Sequence, residues 1–131
     1  MVFGTLTKNN IDMNTKPLNP TVHGIMDYAI SGALLSAPYL IGMNRTAANT
    51  YAGIGAGYSI INALTDTKAG VKKMIPFNQH KKADIGMLAG ITLLSLTSFI
   101  RKDKRALNFH LGLLALAGLQ FILTDFKATS R

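Results

Sequence analysis

Four stretches of this chain, residues 24–43, 49–65, 85–100 and 106–124, are almost free of charged side chains. The first carries only Asp27 and the other three carry none, apart from the titratable His110. Nothing else in the sequence constrains the fold as strongly. A water-soluble helix needs a polar face along its length, and the run "IGMLAGITLLSLTSFI" has no charge on any face. A chain of 131 residues is too short to bury four such helices inside one another. About 20 apolar residues cross a hydrocarbon layer, with a range of about 17 to 25. The sequence therefore predicts an all-α protein with four transmembrane helices. The connectors "NRTAA" and "RKDKR" are short and make neighbouring helices antiparallel.

Composition agrees with that expectation. Hydrophobic residues make up 48% and charged residues 15% of the chain. The balance is basic, with 14 Lys and Arg against 6 Asp and Glu. Most of the basic residues stand in clusters beside the apolar runs, among them Lys72, Lys73, Lys81, Lys82, Arg101, Lys102, Lys104 and Arg105. That placement suits anionic lipid headgroups and argues against nucleic acid. With four crossings, the side holding both termini and the long connector carries nine basic residues: Lys8, Lys16, Lys68, Lys72, Lys73, Lys81, Lys82, Lys127 and Arg131. Five (Arg45, Arg101, Lys102, Lys104 and Arg105) lie opposite. The expected location is the bacterial inner membrane, multi-pass, with both termini cytoplasmic. The chain has no cysteine, which removes thiolate chemistry and disulfides. Its first 21 residues are mostly polar and do not read as a secretory signal.

An internal repeat organises the polar residues. A shift of 57 places His23 and Asp27 on His80 and Asp84, in "HGIMD" and "HKKAD". A shift of 59 places Asn49 and Gly53 on Asn108 and Gly112, and "LTDTKA" on "LTDFKA". The chain divides into a polar segment 1–21, a repeat 22–70, an interfacial connector 71–79 and a second repeat 80–129, all in one membrane domain 1–131. Two helices per repeat imply pseudo-two-fold symmetry about the membrane normal. The starts of helices one and three and the ends of helices two and four then share a membrane face. His23, Asp27, Asp66, His80, Asp84 and Asp125 are expected in one polar layer there.

Two-helix units with an early Asp and a Ser-Pro-Trp at the end of the first helix characterise the SPW-repeat membrane proteins of bacteria. The stretch "LLSAPYLIG", with Ser36, Pro38 and Tyr39, resembles that pattern, with Tyr in place of Trp. The resemblance implies the two-unit architecture and no particular chemistry.

The candidate chemistry lies in the His/Asp pairs. Spacing i, i+4 puts each pair on one helix face. Two imidazoles and two carboxylates suit Zn, Mn or Fe, and histidine also moves protons near neutral pH. The competing reading is structural: acids near a helix start favour its dipole, and Asp66 and Asp125 terminate helices. Haem ligation would have to use His23 with His80. Asn49 and Asn108 read as helix caps. Gly53, Gly57, Gly86 and Gly90 read as helix-packing residues, since small side chains let backbones approach. No nucleophile–base arrangement stands out, so an enzyme is not expected. Three roles follow, in order: a structural or accessory subunit acting as a homo-oligomer or within a larger membrane complex; a small transporter or ion- and proton-handling protein using the His/Asp layer; and a haem or metal binder. No cofactor is required by the sequence.

Overall fold

The structure, a computed structural model, describes residues 16–128. Most of the polar segment 1–21, together with Lys8 and Arg131 of the charge comparison, lies outside these residues. The described chain forms α1 (Pro20–Leu40), α2 (Arg45–Ala63), α3 (Phe77–Leu94), α4 (Ser98–Arg101) and α5 (Lys104–Leu123). Among the described residues there is no strand, only two isolated bridges.

Local chemistry sets the boundaries. Asn19 caps α1, its side chain accepting from the Val22 N–H, and Pro20 follows with φ already suited to a first turn. Pro38 stands in the last turn, and Gly42 closes the helix at φ 72°, where a side chain would be strained. Asn44 caps α2 through the Ala47 N–H, and Asp103 caps α5 through the N–H groups of Arg105 and Ala106. The caps are thus Asn44 and Asp103, not Asn49 and Asn108. Asn49 instead accepts from the Tyr39 hydroxyl at 2.7 Å.

Four transmembrane helices are not what the chain builds. Among the described residues only α5 is long and apolar enough to cross a membrane, by length and composition. α1 has the length but carries His23, Asp27, Ser31, Ser36 and Pro38, and α3 opens with Asn78, Gln79, His80, Lys81 and Lys82. Freedom from charge is a weaker condition than the sustained apolarity a span requires. The third charge-free run is also interrupted: α3 ends at Leu94, and the chain turns before the four-residue α4. The multi-pass inner-membrane topology and a symmetry axis along a membrane normal fall with the four spans.

The two halves nevertheless meet through equivalent positions. Leu18 bridges Thr124, and Ile75 bridges Thr65. Asn44 donates its backbone N–H to Asp103 at 2.8 Å, cap to cap. The Tyr51 hydroxyl lies 2.7 Å from His110 Nδ1. The apolar core, with Leu34, Ala47, Tyr51, Ile91, Ile100 and Ala106, fills the end of the molecule that holds the two caps. Polar groups fill the other end. This division of the interior positions the site described below.

The glycines part into two kinds. A Cβ at Gly55 would stand 2.8 Å from the Ser31 carbonyl oxygen and 2.9 Å from Leu34 Cβ, so this residue sets the approach of α2 to α1. At Gly53, Gly57, Gly86 and Gly90 a Cβ would meet nothing within 4 Å. Within one chain these four pack against no helix; they line an open groove of about 550 Å³ between α2 and α3. Gly55→Ala is expected to destabilise the fold by about 2 kcal/mol through overpacking. Gly53→Ala, in open space on a helix, should stabilise it by about 0.5–1 kcal/mol. Denaturant melts of the two variants check the pair; equal effects would contradict the packing described.

Candidate metal centre

α1 and α3 each deliver one His/Asp pair from their first two turns, and the pairs face each other. His23, Asp27, His80 and Asp84 are buried, with 1%, 3%, 0% and 4% exposure. One ligating atom from each lies within 4.8 Å of the other three. The atoms alternate as a ring. His23 Nε2 is 3.3 Å from Asp27 Oδ2 and 3.2 Å from Asp84 Oδ2. His80 Nε2 is 3.0 Å from Asp27 Oδ2 and 3.3 Å from Asp84 Oδ1.

The far nitrogens fix the tautomers. The Thr65 hydroxyl donates to the Ile61 carbonyl at 2.7 Å, and the Thr124 hydroxyl donates to the Gln120 carbonyl. Each hydroxyl has one proton, so each threonine oxygen must accept from the imidazole it touches. His80 Nδ1 stands 2.7 Å from Thr65 Oγ1, and His23 Nδ1 stands 2.7 Å from Thr124 Oγ1. Both Nδ1 atoms therefore carry hydrogen, and both Nε2 atoms face the carboxylates. Each threonine comes from the opposite half of the chain to the histidine it holds. Gln120 adds a clamp, donating to Asp27 Oδ1 at 2.7 Å and leaving Oδ2 for the centre. The rings of Phe77 and Phe126 stand edge-on to His23, closing that side to water.

Burial alone would push the His23 imidazole down, but the Asp27 and Asp84 carboxylates beside its Nε2 outweigh that and raise it to about 9. Burial would likewise raise Asp27, yet His23 and His80 hold it below the usual carboxylate range. Asp84 goes the other way, to about 6: burial dominates, His23 offsets part of it, and the Asp27 charge adds to the rise. Two carboxylates in one cluster thus differ because Asp27 faces two imidazoles and a Gln120 donor, while Asp84 is held chiefly by one.

Two contents balance the charge of this ring. Two imidazolium ions and two carboxylates sum to zero, and so do two neutral imidazoles, two carboxylates and one divalent cation. The geometry bears on the choice. His23 Nε2 and Asp84 Oδ2 are buried without a hydrogen-bond partner, although they are 3.2 Å apart. Their lone pairs and hydrogens are not aligned with each other, as expected of atoms aimed at a shared third point. A tetrahedral ion with ligands at about 2.0–2.1 Å holds those ligands about 3.3 Å apart along each edge. The four His–Asp contacts, 3.0 to 3.3 Å, approach that figure, those of Asp84 being made by a different oxygen to each histidine, and the four ligand groups as a set bring their atoms within 4.8 Å of one another. The residues present can therefore hold a metal ion. A haem does not fit: the imidazole centroids of His23 and His80 are 5.3 Å apart in an edge-to-face pair, and the cavity at the cluster is about 10 Å³.

The other sequence candidates stand outside the ring. Asp66 and Asp125 are half-buried at the ends of α2 and α5; Asp125 Oδ1 accepts from the Lys127 N–H at 3.0 Å and shapes a turn. The residue before each of them, Thr65 and Thr124, is the one that touches the cluster. The shared Leu-Thr-Asp motif marks this end, and its threonine is the member that bonds a cluster histidine. Gln120 is an amide deep in an apolar run, a pattern that points to a bond across helices, and it makes one to Asp27, although its counterpart position holds Ile61. His110 lies toward the apolar end, where Nδ1 meets Tyr51 and Nε2 meets Ser95 Oγ at 2.9 Å. Ser36, Pro38 and Tyr39, which carry the family resemblance, also lie at that end, in the last turns of α1. No family model, curated protein or solved structure matches this chain.

The metal-free protein should lose stability as pH rises. His23 is raised from 6.5 to about 9, so its contribution is complete below pH 6.5 and lost as pH passes 9. Urea titrations between pH 6.5 and 9 are expected to show a fall on the order of 3 kcal/mol. Saturating Zn²⁺ should remove most of that fall, because a bound cation takes the place of the protons. A metal-free stability that is flat across this window would contradict the charge assignment.

Proposed function

We propose that this protein binds one divalent transition-metal ion of zinc type through His23, Asp27, His80 and Asp84. The ion joins the two halves of the chain. The observation that carries this reading is a buried set of two imidazoles and two carboxylates whose ligand atoms come within 4.8 Å of one another, with His–Asp contacts of 3.0 to 3.3 Å. Three features support it. Both imidazoles have their Nδ1 atoms engaged by an outer hydrogen-bond acceptor, the usual arrangement behind a metal-bound Nε2. Two ligands come from each half, so binding stabilises the assembled fold over any opened form. Imidazole with carboxylate favours zinc, iron or manganese over calcium or magnesium.

Four protein ligands fill a tetrahedral shell, and catalytic zinc needs a position left open. A closed, buried centre suits the holding of structure or of the ion itself. This is the metal binder, the last of the three roles that the sequence raises, with the ion serving the fold. The wider roles of accessory subunit and homo-oligomer lie outside what the cluster supports.

The test is direct. Purified protein is stripped with chelator, reloaded with Co²⁺ or Zn²⁺, and examined by native mass spectrometry and visible absorption. One ion per chain is expected, with the intense visible bands of tetrahedral Co²⁺. His80→Ala and Asp84→Asn should each weaken binding by at least about 100-fold, the loss expected of a ligand rather than a neighbour. A wild-type protein that takes up neither ion at 100-fold excess would refute the proposal.

A further inference from the structure

The end of the molecule that holds the His/Asp cluster also carries an unbalanced surface. It is formed by the starts of α1 and α3, the ends of α2 and α5, and the loop between α2 and α3. Lys68, Lys72, Lys73, Lys81, Lys82 and Lys127 are all exposed there. The described acids of this end offset them only in part, two half-buried carboxylates against six exposed lysines. Asp27 and Asp84 are buried against histidines, and Asp66 and Asp125 are half-buried.

Between the lysines the loop displays apolar side chains. Val71 is 84% exposed and Met74 61% exposed, on either side of Lys72 and Lys73. The loop is firmly held. The N–H groups of Val71 and Lys72 donate to the Ala63 carbonyl at 2.7 and 2.9 Å. Those of Met74 and Ile75 donate to the Leu64 carbonyl at 2.9 and 2.8 Å, and Asp66 N–H donates back to the Ile75 carbonyl at 2.8 Å. Gly70 allows the turn, since a Cβ there would collide with the Thr65 carbonyl oxygen. A loop fastened in this way presents Val-Lys-Lys-Met without further ordering on contact, which removes a conformational cost of binding.

Apolar side chains next to cations call for a partner that is apolar just beneath an anionic layer. A bilayer with anionic headgroups has that profile. Nucleic acid would engage the lysines, but single-stranded recognition also uses aromatic stacking platforms. Of the described aromatic residues at this end, Tyr58, Phe77 and Phe126 are buried and Tyr28 and Phe121 are half-buried, so none offers an exposed stacking face. We infer that this end of the molecule docks on an anionic lipid surface, with Val71 and Met74 entering the headgroup boundary and the lysines neutralising lipid charge. The inference is independent of metal at the cluster.

Flotation of the full chain with vesicles tests it. Vesicles of phosphatidylcholine with phosphatidylglycerol are compared with vesicles of phosphatidylcholine alone, at low and high salt. Binding to the anionic vesicles should exceed binding to the neutral ones by at least about tenfold, and should weaken with salt. Lys72→Ala with Lys73→Ala should lower the partition by about tenfold or more. Val71→Ser with Met74→Ser should lower it while leaving the salt dependence in place. Arg101→Ala with Lys102→Ala, at the far end, should leave it unchanged. All of these side chains are exposed, and helical circular dichroism with thermal melts confirms that each variant folds. Equal binding to both vesicle types, an unaffected lysine pair, or an equal loss from the far-end pair would overturn the inference. So would full displacement from vesicles by a single-stranded RNA oligomer, which would mark the surface as a phosphate site without an apolar component.

Discussion

Two imidazoles and two carboxylates, removed from water at one end of a small helical protein, are the feature on which the rest of the structure turns. Burial of an unpaired charge is costly, and each member of the ring is tolerable only because the others stand beside it. That requirement binds α1 to α3 more stringently than apolar contact could. Leu34 or Ile91 can be replaced by another side chain of similar volume with modest loss. The ring admits few changes, because removing one member leaves an uncompensated buried partner.

The need for outer support spreads the constraint further. Thr65 and Thr124 have to lie within hydrogen-bond reach of Nδ1 on the histidine of the opposite half. The ends of α2 and α5 are therefore fixed by the same cluster as the starts of α1 and α3. The bridges Leu18–Thr124 and Thr65–Ile75 run beside these contacts and hold the threonines in register. At the other end of the molecule the joining is done by an apolar core and by two caps, Asn44 and Asp103, bonded to each other. The chain uses polar bonds where its helices carry charge and dispersion where they do not.

Much of the cluster was legible in the sequence because i, i+4 spacing is a local property. His23 with Asp27, and His80 with Asp84, share a helix face whatever the rest of the chain does. The repeated Leu-Thr-Asp motif marked the second pair of helix ends. It did not distinguish threonine from aspartate as the working residue, since that depends on which side chain points inward at the last turn. The glycines show the same limit. Gly53, Gly57, Gly86 and Gly90 form the conspicuous spacing, yet they border open space, and Gly55 between them makes the close approach. Absence of charge in four runs suggests four spans. The finer balance of hydroxyls, amides, histidines and a broken third run leaves α5 alone with the length and apolarity of one among the described residues.

The order of residues alone makes the chain helical, sets where polar residues interrupt its apolar runs, and pairs those interruptions. These are consequences of composition and short-range spacing. The crossing of the helices adds that the pairs meet at 3.0 to 3.3 Å and that Thr65, Thr124 and Gln120 complete their surroundings. Such facts depend on how helices cross. Crossing is set by the packing of whole faces against one another, and no local window of residues contains it.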